Sequence, residues 1–253
     1  MFAFNCYNEE EGTPIARFLK GKTSTLLCII KDDDPKKNTF EQIELDKSKF
    51  EPRLNPFQRS VVYIAGPSGS GKSTYAVNLV KSYLKLHDKP FYIFSRTECD
   101  TDPVFDGMKY MQIPINESLI ENPIDITQEL TGGSIILFDD CNTIQNKKLK
   151  DIVEKLMEDI LEIGRKLDIT IVITSHLVIP TSKNFARTIM NELQTLTVFP
   201  KSGSAQQIRY ALKTYFGLDN KQIDQILSIK SRWITISKTY PMYVLSEKTA
   251  YIL

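Results

Sequence analysis

The stretch SVVYIAGPSGSGKSTYAVNLVKSYL, residues 60–84, narrows the possible folds sharply, because an apolar strand runs through a glycine-rich loop directly into a helix. Val61, Val62, Tyr63 and Ile64 have the β-branched and aromatic character of a strand, and Ala76, Leu79, Val80, Tyr83 and Leu84 recur at helical spacing. The loop between them fits GxxxxGK[ST] at Gly66, Gly71, Lys72 and Ser73, with Gly69 as an additional glycine. The glycines permit positive φ and let backbone N–H groups approach an anion with no Cβ in the way. Lys72 offers a point charge to β- and γ-phosphates, and Ser73 offers a hydroxyl to Mg²⁺. The helix start adds free N–H groups and the positive end of its dipole. Gly66, Pro67, Ser68, Gly69, Ser70, Gly71, Lys72, Ser73 and Thr74 are therefore the expected cradle of a nucleoside triphosphate with Mg²⁺. The competing reading is a Gly/Ser turn with no ligand.

A second anchor lies downstream. Gly132 and Gly133 launch the unbroken apolar run SIILF, residues 134–138, of the kind buried on both faces of a parallel sheet, and it ends in Asp139 and Asp140. An apolar strand closing on an acid is the usual second half of a P-loop NTPase, where the first carboxylate holds Mg²⁺. The next carboxylate, Asp140, is placed to polarise an attacking water as general base or as its orienter. The alternative is that the two acids cap the following turn. A third strand, residues 169–174, ends in Thr174, Ser175 and His176, polar groups at the carboxyl edge where open α/β sheets bind ligands. Taken alone, His176 reads equally well as a loop histidine.

Around these anchors the pattern alternates strand and helix, which predicts an α/β fold. Residues 91–95 and 110–113 read as short strands, with the Asp-, Pro- and Asn-rich segment 96–126 mostly loop. Residues 147–167 predict a long amphipathic helix with Leu149, Ile152, Val153, Leu156, Ile160, Ile163 and Leu167 on one face. Its charges form a solvated face, except that Arg165 stands at the helix end, where it suits the C-terminal dipole. Residues 196–199 read as a strand and 205–216 as a helix, and Asp219 with Gln222 predicts a capping box opening a helix to 227. Residues 233–237 and 242–245 are the closing strands.

Residues 1–55 differ in texture. Residues 23–30 and 39–45 predict a hairpin across the polar turn KDDDPKKN, and PRLNPFQR reads as a linker. The expected division is a β-rich extension over 1–55 and a P-loop domain over 56–253. Thirty-two basic against thirty-one acidic residues leave a net charge of +1, so bulk charge announces no nucleic-acid or membrane partner. Cys6, Cys28, Cys99 and Cys141 are dispersed without CxxC or nearby histidines, which argues against zinc and fits reduced thiols. No apolar run approaches the length of a membrane span, and the first residues lack the pattern of a signal peptide.

The order of motifs resembles the FtsK/HerA superfamily of DNA-pumping ATPases, and within it the genome-packaging ATPases of poxviruses, giant DNA viruses and virophages. The likeness covers about residues 60–253 and rests on IAGPSGSGKST, IILFDDC, LEIGRKLDITIVITSH, IPTSKNFARTIMNE and SRWITISKTYPMYVL. It implies a RecA-like (ASCE) P-loop core with a mostly parallel central sheet behind a small N-terminal β-hairpin extension. It further implies ATP hydrolysis at the subunit interfaces of a pentameric or hexameric ring that threads double-stranded DNA, held non-specifically, into a capsid through a capsid or portal component. The implied setting is the infected cell's cytoplasm or viral factory, or the virion. By position, Lys72, Asp140 and His176 are catalytic, Ser73 and Asp139 hold the metal, and Arg165 matches an arginine that reaches the neighbouring subunit's nucleotide, with Arg187 the competing candidate. Two departures stand out: Asp140 where the superfamily more often has Glu, and His176 where Gln is commoner. The alternatives are a P-loop nucleotide or small-molecule kinase, which would carry an arginine-rich lid, and a scaffold with a relic P-loop.

Overall fold

A computed structural model describes residues 1–31 and 39–253, and the chain separates into two compact units: Met1–Gln58 with Gln194–Leu253, and Arg59–Leu193. The boundary expected at residue 55 does not partition the chain, because the last sixty residues belong with the first fifty-eight.

The first unit opens with β1 (Phe2–Phe4), β2 (Thr13–Lys20), β3 (Thr23–Ile29), β4 (Gln42–Glu44) and β5 (Glu51–Pro52). The hairpin is not the expected one. β3 pairs antiparallel with β2 across a two-residue link at Gly21 and Lys22, where Gly21 supplies a φ of 66°. β4 leaves for another sheet, and the rest of the expected turn, residues 32–38, lies outside the described residues. The resulting four-stranded sheet runs β1-β3-β2-β5.

The second unit begins with β6 (Val61–Ala65), α1 (Lys72–Leu84), β7 (Phe91–Ser95) and β8 (Met111–Pro114). Two short helices follow, α2 (Ser118–Glu121) and α3 (Ile126–Glu129), inside the segment expected to be loop. Then come β9 (Ile135–Phe138), α4 (Lys147–Ile163), β10 (Thr170–Ser175) and α5 (Lys183–Glu192). Its five strands are all parallel in the order β8-β7-β9-β10-β6, with β10 between the glycine-loop strand and the acid-bearing strand. Every residue of β6, β7, β9 and β10 is buried, as near-continuous apolar runs demand of a sheet covered on both faces. α4 buries Leu149, Val153, Leu156, Met157, Ile160 and Leu161, each worth roughly 1.5–3 kcal/mol of apolar transfer. It stops at Ile163 rather than 167. Gly164 caps it, and the Arg59 guanidinium donates to the Leu161 carbonyl at 3.2 Å, occupying an end carbonyl that a further turn would use.

Returning to the first unit, β11 (Thr195–Val198), α6 (Ala205–Phe216), α7 (Asn220–Ser228), β12 (Ile234–Ser237), β13 (Tyr243–Ser246) and β14 (Thr249–Ile252) complete the chain. The capping box is formed, with Asp219 accepting from the Gln222 N–H at 2.8 Å and Gln222 accepting from the Asp219 N–H at 3.0 Å. β12, β13, β14 and β4 pair antiparallel in that order. Phe2, Ile15, Phe18, Leu27 and Phe50 share one buried cluster with Tyr243, Leu245 and Ala250. The first residues are thus half of a β-sandwich core whose other half comes from the end of the chain. No helix among the described residues is long and apolar enough to cross a membrane.

Candidate functional site

The site is built at the carboxyl edge of the parallel sheet. β6 runs out at Ala65 into the glycine loop, whose Gly66 N–H donates to the Ser175 carbonyl of β10 at 2.9 Å, tying the loop to its neighbouring strand. Gly69 (φ 73°) and Gly71 (φ 97°) take backbone conformations that side chains rarely adopt, and Gly71 turns the chain into α1 with Lys72 as its first residue. Pro67 and Ser70 are half-buried, and Ser68, Gly69 and Thr74 lie exposed along the loop and first turn. The Ser70 hydroxyl is buried and finds no protein partner among the described residues.

Lys72 is 5% exposed, and its ammonium lies 3.0 Å from Asp140 Oδ2. The same carboxylate oxygen is 3.3 Å from His176 Nε2. Ser73 Oγ donates to Asp139 Oδ1 at 3.1 Å, and Thr174 Oγ1 donates to that same oxygen at 2.7 Å. Glycine loop, paired acids and β10 tip therefore meet in one place. The parallel register explains why: Ile173 lies opposite Phe138 and Ser175 opposite Ala65, so the three strands deliver their polar ends at one level.

Two electrostatic features follow. Burial pushes the Asp139 carboxyl above its ordinary value, the Thr174 hydroxyl pulls it back, and the neighbouring Asp140 adds to the rise. Asp140 has the left-handed φ of 50°, and its Oδ1 is buried without a protein partner. The hard-oxygen pair of Ser73 and Asp139 suits Mg²⁺, which binds through one or two carboxylates together with substrate phosphates rather than in an all-protein cage. Among the described residues, no group of three or more His, Cys, Asp or Glu is placed to hold a metal ion.

The two arginines fall elsewhere. Arg165 sits beyond the end of α4, in the exposed turn before β10, and so at the amino edge of the sheet. The six residues of β10 separate it from the glycine loop, roughly 20 Å at strand rise, more than its own side chain spans. Arg187 is exposed on α5, a helix that the sequence left unassigned.

Thr174 was legible only as part of a polar strand tip, yet it touches both acids. Arg96 and Thr143 carried no sequence signal beyond their positions after β7 and β9. Arg96 donates to the Thr143 carbonyl at 3.0 Å, and the Thr143 hydroxyl donates to the Asp140 carbonyl at 3.0 Å.

No protein-family model matches the chain. Among solved structures it is similar to the genome-packaging NTPase B204 of Sulfolobus turreted icosahedral virus 2 in complex with AMPPCP, at a TM-score of 0.51 and 12% identity over 76% of this chain and 99% of that one. It is also similar to the pCW3 conjugation coupling protein TcpA with ATPγS, at a TM-score of 0.50 and 13% identity over 94% of this chain and 77% of that one. These likenesses establish the P-loop fold that the resemblance implied. In sequence, the chain is 40% identical to protein V3 of Sputnik virophage over 245 residues, covering 96% of this chain and 97% of that protein. An identity of that level over nearly the full length of both chains places this protein in the family of the Sputnik virophage V3 protein, built on the fold of the viral genome-packaging NTPases.

Proposed function

We propose that this chain is the ATP-hydrolysing subunit of a viral DNA-packaging motor. The observation that carries the reading is the convergence of Lys72, Ser73, Asp139, Asp140 and His176 at the end of a glycine loop, with contacts of 3.0 to 3.3 Å. The N–H groups of the loop and of the first turn of α1 cradle the phosphates, and Lys72 turns from Asp140 to the transferring phosphoryl group. Ser73 and Asp139 hold Mg²⁺, which neutralises charge on the phosphates when bound. Relieved of Lys72, Asp140 accepts a proton from the attacking water or orients it, and His176 stands beside it within reach of the same water or of the γ-phosphate.

Arg165 is too far from its own site to act there, which supports a role at the nucleotide of an adjacent copy. A pentameric or hexameric ring gives each subunit that neighbour. The packaging NTPase B204 and the coupling protein TcpA are the relatives in fold that favour DNA handling. The working partners are then double-stranded DNA gripped through its phosphates and a capsid or portal component, in the infected cell's cytoplasm or viral factory or in the virion. With a net charge of +1, only the channel lining of such a ring must be basic.

The test is ATP hydrolysis with and without duplex DNA. The expected outcome is DNA-stimulated phosphate release that Lys72→Ala abolishes. Phosphorylation of a nucleoside acceptor, or hydrolysis at the parent rate in Lys72→Ala, would overturn the reading.

A further inference from the structure

The structure assigns Thr174, Thr143 and Arg96 to a clamp that sets the backbone of Asp140. The inference rests on the reading of Asp140 as the group that handles the attacking water.

Asp140 is one of three non-glycine residues with positive φ among the described residues, and it adopts the left-handed conformation at φ 50°, ψ 36°. A side chain rarely holds that conformation unless its surroundings over-determine it. Here both ends of the residue are held. On one side, the Asp140 N–H donates to Thr174 Oγ1 at 2.9 Å, from a threonine that is completely buried in β10. On the other, the Asp140 carbonyl accepts from Thr143 Oγ1 at 3.0 Å, at the end of the short 3-10 turn Cys141–Thr143. Thr143 is fixed in turn by Arg96, which donates from one guanidinium nitrogen to its carbonyl at 3.0 Å and to its hydroxyl at 3.3 Å.

Thr174 does a second thing with the same hydroxyl. Its proton goes to Asp139 Oδ1 at 2.7 Å while its lone pair takes the Asp140 N–H. One side chain therefore fixes the carboxylate of the first acid and the main chain of the second. The aim of Asp140 Oδ2 toward Lys72 and His176 is a consequence of the left-handed turn, since an extended backbone would send the side chain elsewhere. These are positioning residues: they reach the reaction through Asp140.

Thr143 also separates the effects cleanly. It is exposed and contributes nothing to the core, so Thr143→Val should leave the fold intact. The experiment measures steady-state ATP hydrolysis, the dissociation constant of a non-hydrolysable ATP analogue and the thermal midpoint for Thr143→Val, Thr143→Ser, Arg96→Met, Thr174→Val and Thr174→Ser. A misplacement of about an ångström in a reacting group costs up to about a hundredfold. The expected result is a kcat lowered roughly ten- to a hundredfold in Thr143→Val and Thr174→Val, with analogue affinity and midpoint unchanged in Thr143→Val. The serine variants should recover most of the rate, and Arg96→Met should fall between. In an Asp140→Asn background, Thr143→Val should add no further loss, because both act through one group.

The parent rate in Thr143→Val, or an equal loss in the Asp140→Asn background, would overturn the clamp. Thr174→Val is the variant that removes a buried partner, and should it fail to fold, the Thr143 and Arg96 series still decides. Absence of hydrolysis in the parent protein would instead defeat the ATPase reading, so the two failures are distinguishable.

Discussion

Asp140→Asn separates two roles that one carboxylate combines. The carboxylate neutralises Lys72 at 3.0 Å and, in the proposed mechanism, handles the water. At that separation and an effective dielectric of about 20, the attraction between the two charges is roughly 5–6 kcal/mol before solvent is counted. The Asp140 side chain is 32% exposed, so water recovers most of this, leaving about 1–2 kcal/mol that an incoming phosphate must overcome. Removing the charge while keeping the shape frees Lys72 for the phosphates and withdraws an anion from beside them. ATP should therefore bind about five- to thirtyfold more tightly, while the hydrolytic step slows by about 10² to 10⁴. The measurement pairs calorimetric titration of ATP with single-turnover phosphate release. Weakened binding in Asp140→Asn, of the kind expected for Lys72→Ala, would refute the reasoning and reassign Asp140 to the metal. An unchanged rate would remove it from the chemistry.

If Arg165 completes the site of an adjacent copy, Arg165→Ala should lower turnover by about 10³ to 10⁵, and mixing it with Lys72→Ala subunits should restore activity at the mixed interfaces. No recovery in verified mixed rings would point to Arg187. In the first unit, burial works to raise the Glu247 carboxyl, but the Lys49 ammonium, the Arg232 N–H and the Ser231 hydroxyl outweigh it and hold it below the ordinary value. An acid depressed in the fold adds stability above its unfolded pKa and loses it as the pH falls through the folded one. Glu247→Gln should thus lower the thermal midpoint at neutral pH by no more than about 1 kcal/mol equivalent, since the Lys49 partner is 61% exposed and solvent screens the pair, and the difference should vanish in acid. A difference that persists unchanged at low pH would count against this origin.

Much of the candidate site's geometry could be read from the chain because local rules and parallel pairing agree there. The glycine loop, the apolar run ending at Asp139 and the polar tip of β10 each declare themselves in a few consecutive residues. Adjacent strands in matching register then bring Lys72, Asp140 and His176 together. What escaped depends on distant partners. β2 contains Pro14, which sits at a break in its register with β3 and obscures the alternation of its buried residues. β4 pairs with β14, a strand from the far end of the chain, so no local hairpin signal could have placed it. The periodicity of α4 continues past Ile163, and the guanidinium occupying its end comes from Arg59, far upstream. The clamp on Asp140 was invisible for a related reason: Thr143 and Arg96 meet through hydrogen bonds to main chain, which leave no pattern in residue type.

The sandwich formed by the two ends of the chain also bears on how the protein is made. Phe2, Phe18 and Phe50 belong to the same cluster as Tyr243 and Leu245. At about 5–20 residues per second, the ribosome needs on the order of 10 to 40 s to go from one set to the other. Through that interval the nascent aromatic face has no mate, while every strand and helix of the second unit has already emerged. The second unit can mature first, and the newborn sheet needs shelter until the final strands arrive.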